Sequence, residues 1–362
     1  MTGAIVSDVA AAGTLGRLIA DSRTVHDRLD VLTARISSGK VAQTYAGLGG
    51  AAATSLDLSP QIARLDTWQR NVDSAAMRMG VAQTALTRLQ AIATDFVART
   101  FSDNGLNASV IDNVAADARD ALAEVANLLD TQVGGLYVFA GQDTANPPVP
   151  DPNAIGSSAF FTQIQSAVQQ LSSLGASGTV ASTLATAASN ASTTSPFSTY
   201  LSQPVSALQG PVVEVGDGHV VTIGLFASGN AVVPSTGSST TGSYARDLMR
   251  ALATLGSLTS GQANEPELAG LIDDTRQSLN GAVTAMAAEA GVMGNRQAAL
   301  EESKAQLTAT ATALTVQVGN AEDVDVADAM AKLSVVQTQL QASYQLIARA
   351  GDLSLVKFLP SP

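Results

Sequence analysis

The sequence has 362 residues, of which 46% are hydrophobic, 4% aromatic and 14% charged. A chain of this length can bury a sizeable core in two or three domains, and its Ala- and Leu-rich, aromatic-poor composition suits closely packed helices. The net charge of −12 argues against nucleic-acid and anionic-lipid partners. The absence of cysteine excludes disulfides, thiolate metal sites and cysteine nucleophiles.

No apolar run approaches the roughly 18 residues that a membrane span needs. The N-terminal stretch MTGAIVSDVAAAGTLGRLIA lacks a basic start before an apolar block, so we expect no cleaved secretory signal. The sequence therefore predicts a protein that stays in the cytosol or is exported by a route that uses no such signal.

The first predicted helix carries one narrow apolar stripe, formed by Leu18, Val25, Leu29, Leu32 and Ile36. Gly39 is expected to cap its C-terminus. A longer helix over 62–100 carries an a/d heptad repeat, which is typical of a coiled-coil seam. Its a positions are Leu65, Val72, Met79, Leu86 and Ala93, and its d positions are Trp68, Ala75, Ala82, Leu89 and Phe96. A third helix is predicted over 111–133, with Asp112 as N-cap.

The heptad pattern returns toward the C-terminus, where Met286, Met293, Leu300, Leu307 and Leu314 lie seven apart. Gly319-Asn320 is predicted to end this helix, and Asp325 to cap the last one. The apolar face of the last helix comprises Val326, Leu333, Val336, Leu340, Tyr344 and Ile347. The chain closes with Leu355, Phe358 and Leu359, and an apolar end of this kind indicates a partner.

Between the helical ends, residues 141–243 are rich in Gly, Ser, Thr and Pro. Val212–Val215 and Val220–Ile223 flank the glycine-rich stretch Gly216–His219, which predicts a β-hairpin. The low-complexity stretch 176–199 predicts an exposed, mobile insertion.

Two patterns resemble ligand sites, and each favours a structural interpretation. Gly47–Ala52 fits a loose dinucleotide fingerprint, but it follows a helix and a polar loop rather than a strand. An acidic cluster could attract a cation, but it lacks the spacing of a calcium loop, and carboxylates at a helix start favour capping. The cluster consists of Glu322, Asp323, Asp325 and Asp328.

The chain has two histidines, His26 and His219. The sequence offers no recognisable arrangement of nucleophile, base and orienting group that includes either of them. We therefore predict no catalytic residue, no cofactor-binding residue and no metal site.

Three stretches together resemble the bacterial flagellin family. Leu29–Lys40 is similar to its N-terminal helix ending in a Ser-Ser/Thr-Gly-Lys turn, Ala321–Met330 to its Glu-Asp-x-Asp helix start, and Gly291–Arg296 to its Gly-x-x-x-Asn-Arg stretch. Thr44–Ala51 departs from the Asp-Asp-Pro/Ala-Ala-Ala pattern of the family. Ala93–Arg99 replaces the segment that innate immune receptors recognise in many members, so we do not expect that recognition here.

Two further segments are similar to one branch of the family, the hook-associated protein 3 type. Leu136–Pro148 matches its Tyr-x-Phe-Ser/Ala-Gly-x-x-Thr-x-x-Pro-Pro segment, and Ser354–Leu359 matches its Ser-Leu-x-x-Phe/Tyr-Leu ending. The resemblance implies a structural subunit that joins hook to filament. The alternative is the filament flagellin itself, and a remote alternative is a soluble all-α enzyme.

The expected fold is mainly α, with long N- and C-terminal helices paired in an antiparallel coiled-coil bundle and a smaller central β-containing domain. Residues 1–50 and 320–362 are expected to form an inner terminal coiled coil, and residues 51–140 and 245–319 a helical bundle. Residues 141–244 are expected to form the outward-facing central domain with its Ser/Thr-rich insertion.

The resemblance implies self-assembly in a tube, contacts with an adjacent hook-associated protein and with flagellin, an export chaperone, and a location in the extracellular flagellum. We expect no cofactor and no nucleic-acid or membrane partner. The expected assembly interface consists of Leu18, Val25, Leu29, Leu32, Ile36, Val326, Leu333, Val336, Leu340, Tyr344, Ile347, Leu355, Phe358 and Leu359.

Overall fold

The computed structural model describes residues 3–101, 108–232 and 234–352, with the side chains of residues 16–349 in these ranges, and 71% of it is helical. Its α-helices are α1 (Gly3–Ser38), α2 (Tyr45–Leu48), α3 (Ala51–Thr100), α4 (Ala108–Leu129), α5 (Ala159–Gln169), α6 (Leu171–Ala188), α7 (Tyr244–Gly256), α8 (Leu268–Glu322) and α9 (Val326–Asp352). Two antiparallel hairpins pair β1 (Gln132–Val133) with β2 (Leu136–Tyr137), and β3 (Val212–Gly216) with β4 (His219–Thr222). The predicted fold class is confirmed, because the long terminal helices pack against each other and the central region holds only a few short strands.

The described residues pack as two units. The terminal unit comprises residues up to 65 and from 309 onward, and the central unit comprises residues 66–308. Helices α3 and α8 contribute residues to both units. The three-part domain organisation expected from the sequence stays a prediction.

Most of the predicted heptad positions of α3 and α8 are buried, whereas Leu314 of α8 is half-buried. In α3 the a and d residues from Val72 to Phe96 are buried and Trp68 is half-buried, and in α8 the residues at steps of seven from Met286 to Leu307 are buried. The predicted end of α8 at Gly319-Asn320 is wrong, since the helix continues to Glu322. A single glycine costs a helix only about 1 kcal/mol, which the neighbouring turns can offset.

Two side-chain pairs show how α3 and α8 run in the central unit. Lys304 Nζ donates to Asp73 Oδ1 at 2.6 Å, and Gln69 Nε2 donates to Thr308 Oγ1 at 3.3 Å. Residue numbers rise along α3 as they fall along α8, so the two helices are antiparallel.

Helix α7 is enclosed by the central unit, and all of its residues are buried. Arg250 forms an ion pair with Asp274 at 3.2 Å. Arg246 donates to the main-chain oxygens of Ala187 and Ser189 at 2.8 and 3.2 Å, at the C-terminal end of α6 where a positive charge is favourable. Burial lowers the pKa of Arg246 to about 10.

The prediction of an exposed insertion over 176–199 is wrong for its first half, which is helical and partly buried. Residues 176–188 of this stretch belong to α6. The buried residues of this part include three at four-residue spacing, Thr179, Thr183 and Ala187. Their small side chains allow α6 to pack closely on α5 and α7. The Ser/Thr-rich composition did not predict this helix because Thr is a weak helix former. In the helix, a Thr hydroxyl can donate a hydrogen bond to a carbonyl one turn back.

The predicted β-hairpin is confirmed as β3–β4. Val213 pairs with Val221 and Gly216 with His219, leaving Asp217 and Gly218 as the turn. Gly218 has a φ of 70°, which favours glycine. The glycine-rich stretch from which the hairpin was predicted therefore forms its turn.

The segment Leu136–Pro148 forms a tight turn structure in the central unit. Phe139 is fully buried, and the Tyr137 N–H donates to Thr144 O at 2.8 Å. Gly141 has a φ of 62°, and a Cβ at this position would lie 2.8 Å from the Phe226 ring. Phe139 and Gly141 of this pattern thus have structural roles.

A partly buried carboxylate closes this segment. Asp130 Oδ1 accepts a hydrogen bond from the Val149 N–H at 2.8 Å. Burial raises the pKa of Asp130 to about 6, although the Val149 hydrogen bond acts in the opposite direction. Asp130 is still mostly ionised at pH 7, but its charge is less favourable in the folded protein than in the unfolded chain.

Replacing Asp130 with asparagine should stabilise the central unit at pH 7, because asparagine keeps the acceptor for Val149 and carries no charge. The raised pKa means that the wild type loses stability as the pH rises from about 4 to about 6. We expect a gain of about 1 kcal/mol at pH 7, after discounting for solvent screening, and little gain at pH 4.

Urea unfolding measures this difference, followed by the fluorescence of Trp68, the single tryptophan of the chain. Asp151→Asn, at an exposed neighbouring carboxylate, is the matched control and should leave the midpoint unchanged. Identical midpoints for Asp130→Asn and wild type at pH 7 would contradict the claim that the charge of Asp130 destabilises the folded protein.

Candidate assembly interface

The terminal unit is built on α1 and α9, which pack lengthwise against each other. The end of α1 lies beside the start of α9, because the Val324 N–H donates to Gly39 O at 3.0 Å and the Val41 N–H donates to Glu322 O at 2.7 Å. The two helices therefore run antiparallel. Gly39 has a φ of 71°, as its predicted role of C-cap requires.

Four side chains, which we call the clasp, lie at this junction: Lys40, Ser55, Glu322 and Asp323. Lys40 Nζ contacts Asp323 Oδ1 at 2.7 Å and Glu322 Oε2 at 3.2 Å. The Ser55 hydroxyl donates to the other oxygen of Glu322. The clasp thus joins the loop after α1 to α3 and to the end of α8 by polar contacts.

The clasp residues shift each other's pKa values toward the charged forms. Hydrogen bonds with Asp323 first, and with Glu322 second, raise the pKa of Lys40. The hydrogen bond from Ser55, followed by that from Lys40, lowers the pKa of Glu322. The shifts show that these contacts favour the folded junction at neutral pH, and the contribution of Glu322 is lost as the pH falls through its lowered pKa.

The acidic cluster of the sequence divides into two roles. Asp325 caps α9 as predicted, since its Oδ1 accepts the Ala327 and Asp328 N–H groups at 2.9 and 3.1 Å. Glu322 and Asp323 instead pair with Lys40, far away in the sequence. Among the described residues, no group of three or more His, Asp or Glu side chains could hold a metal ion.

The predicted interface residues of α1 are all half-buried: Leu18, Val25, Leu29, Leu32 and Ile36. Leu333, Val336, Leu340 and Ile347 of α9 are half-buried too, whereas Val326 and Tyr344 are 44% and 54% exposed. The structure brings Leu32 and Val336 together, since both line one groove. Leu355, Phe358 and Leu359 lie outside the described residues.

A second set of apolar residues, which the sequence analysis missed, lies exposed beside the first. Each forms a doublet with a predicted residue: Leu18-Ile19, Val31-Leu32, Val335-Val336 and Leu346-Ile347. In every doublet one member is half-buried, and the other is between 39% and 56% exposed. Adjacent residues on a helix point about 100° apart, so these doublets were the available signal for a second apolar face.

The α1–α9 hairpin leaves much of its apolar surface in contact with water. Of the described side chains of these two helices, only Ser22 and Ala329 are buried. Two paired helices can cover one stripe on each partner, but the doublets place apolar groups on a second face. An exposed apolar surface of this kind is typical of a protein–protein interface.

The two histidines lie on the surface, and the glycine-rich stretch lies between two helices. His26 is exposed on α1, 3.8 Å from Asp30, and His219 is exposed on β4. The glycine-rich stretch at 47–52 joins two helices, α2 and α3. Within the part of the chain that the structure describes, no helix combines the length and the apolar character that crossing a lipid bilayer would require.

The presence of long helices at both ends of the chain agrees with comparisons to known families. The family model described as bacterial flagellin N-terminal helical region matches residues 21–144, and the model described as bacterial flagellin C-terminal helical region matches residues 277–359. Together they cover more than half of the sequence, so the chain belongs to the bacterial flagellin family. A comparison with curated proteins finds no significant match.

Membership in this family defines the chain as a structural subunit of the bacterial flagellum. Proteins of this family are non-enzymatic, self-assemble into a polymer and lie outside the cell. The structural interpretation of the sequence is therefore supported over the enzyme alternative.

Replacing Lys40 with alanine should loosen the junction between α1 and α9, because Glu322 and Asp323 would face each other without their cation. We expect the Val41 and Val324 amides to exchange with solvent a few-fold faster, since a partly exposed ion pair contributes about 0.2–1 kcal/mol. Hydrogen exchange followed by mass spectrometry measures this rate.

Lys332→Ala is the matched control for this experiment. It removes a lysine that pairs with Asp328 within α9 at 2.6 Å, and it should leave both amides protected. Unchanged exchange in Lys40→Ala would show that the backbone bonds alone hold the junction.

Proposed function

We propose that this flagellin-family chain is the subunit that joins the hook to the filament. The similarity of Leu136–Pro148 and of Ser354–Leu359 to the hook-associated protein 3 branch supports this role. The first of these segments is a packed part of the central unit, in which Phe139 is buried and Gly141 leaves no space for a Cβ. The resemblance therefore concerns residues on which the fold of that segment depends.

The observation that carries an assembly role is the half-exposed state of the α1–α9 doublets. Covering each exposed Val, Ile or Leu against a neighbouring subunit contributes on the order of 1 kcal/mol, from about 25 cal/mol per Å² of apolar area removed from water. This gain is reduced by the entropy lost on association. Several doublets on each subunit are needed before assembly is favourable.

In the proposed assembly, the predicted interface residues form the inner coiled coil around the tube axis. The central domain faces outward, and the apolar end with Leu355, Phe358 and Leu359 adds to the inner contacts. The adjacent hook-associated protein and flagellin contact the two ends of the short tube that copies of this chain form. An export chaperone covers the apolar stripes before the chain passes through the export route. A chain without disulfides suits export in an unfolded state.

Leu340→Asp should prevent incorporation into flagella. Leu340 is half-buried on the apolar stripe of α9, and a carboxylate there would have to be desolvated in the assembly. We expect the incorporated fraction to fall by about tenfold or more, with the variant recovered from the medium. Gln341→Asp, at the next and exposed position, adds the same charge and should incorporate normally.

Immunoblotting of purified flagella and of the culture medium measures both fractions. Urea unfolding followed by Trp68 fluorescence should give the same midpoint for Leu340→Asp as for wild type. Normal incorporation of Leu340→Asp would contradict the proposed interface.

Deleting the gene for this chain separates the junction role from that of the filament flagellin. A junction subunit is needed to hold flagellin on the hook, so electron microscopy should show bare hooks while flagellin accumulates in the medium. If the chain is the filament flagellin, the hooks are bare and the medium contains no flagellin. If the deletion leaves full-length filaments, the proposed function is wrong.

A further inference from the structure

An apolar groove with a basic rim lies on the surface of the α1–α9 hairpin. Val31 and Leu32 of α1 and Val336 of α9 line its apolar part. Arg28, Arg35 and Lys332 line it with cations, and Thr24 and Asp27 complete the lining. Val31 is 50% exposed, so the apolar part is open to solvent.

The positive charges of this rim are only partly neutralised. Lys332 Nζ lies 2.6 Å from Asp328 Oδ2 on the same helix. Arg28 and Arg35 form no ion pair with any residue that the structure describes, and the Nε of Arg35 is buried without a hydrogen-bond partner. Against the three cations stand Asp27 of the lining and Asp328, so the groove carries a net positive charge of one in a chain whose net charge is −12.

This combination determines the chemistry of a fitting partner. An apolar groove between two helices accepts the apolar ridge of a third helix, and cations on its rim favour carboxylates on the flanks of that ridge. Such a face is present on this chain itself. Val326 and Met330 lie one turn apart on α9, are 44% and 57% exposed, and have the exposed Asp325 beside them.

We propose that the groove binds a carboxylate-flanked helix of a second copy of this chain. The inference rests on the proposed function, in which copies of the chain assemble side by side. It goes further by assigning one surface, its occupant and the charge pattern that selects the occupant. The apolar contacts supply the attraction, and the arginines set the orientation of the incoming helix.

Cross-linking from the groove identifies its occupant. The chain contains no cysteine, so Val31→Cys provides a single attachment point for a thiol-reactive benzophenone. Irradiation of flagella that carry the labelled subunit should give a product of about twice the 36.7 kDa mass of the chain, containing only its peptides. The labelled monomer in dilute solution should give no such product.

A product that contains the hook-side protein, flagellin or a chaperone, without a product between two copies, would overturn the proposal. The absence of any cross-link in assembled flagella would overturn it as well. If the label itself prevents incorporation, charge reversal tests the same surface independently.

The double variant Arg28→Glu, Arg35→Glu should lower incorporation by about tenfold or more, because it opposes like charges in the groove. Arg23→Glu is the matched control, since Arg23 is exposed on the same helix and does not line the groove. Unchanged protection of the Val324 amide would show that the hairpin of the double variant is intact.

Normal incorporation of the double variant, or equal loss in Arg23→Glu, would contradict the role of the basic rim. The proposed function has its own test in Leu340→Asp. If Leu340→Asp is excluded while the double variant assembles normally, the groove inference is wrong and the assembly role remains.

Discussion

Two paired helices cannot cover two apolar faces, and the assembly role of this protein depends on that limit. Helices α1 and α9 each carry apolar doublets, in which one residue turns toward the partner helix and its neighbour turns away. Pairing buries the first set partly and leaves the second set in water. A third helical surface is needed to cover the rest, and a polymer of identical subunits supplies that surface with every added copy.

The polar clasp fixes which surfaces are left over. Lys40, Ser55, Glu322 and Asp323 hold the end of α1 beside the start of α9, and the backbone bonds of Gly39 and Val41 set the register between them. A change in this register would move the half-buried members of the doublets out of contact. The clasp thus acts on assembly indirectly, because it determines which apolar residues the hairpin presents to a neighbour.

The central unit encloses an apolar core of its own. Helix α7 is wholly enclosed, and its two buried arginines find partners in Asp274 and in the carbonyl groups at the end of α6. Apart from the half-buried Trp68, the heptad residues of α3 and α8 in this unit are buried within the single chain. The two units therefore differ in physical character, since the central one encloses its apolar core and the terminal one leaves one member of each apolar doublet exposed.

The sequence alone determined the features that depend on local periodicity and local caps. Steps of seven located α3 and α8, Gly39 and Asp325 marked helix ends, and the glycine-rich turn placed the β3–β4 hairpin, because these signals lie within a few residues of one another. Only the tertiary structure decided the features that join distant residues. It paired Glu322 and Asp323 with Lys40 and buried the threonines of α6, whose composition resembles that of a loop. It also determined which member of each apolar doublet faces inward. That outcome depends on the packing of α1 against α9, and the spacing of apolar residues along either helix does not indicate it.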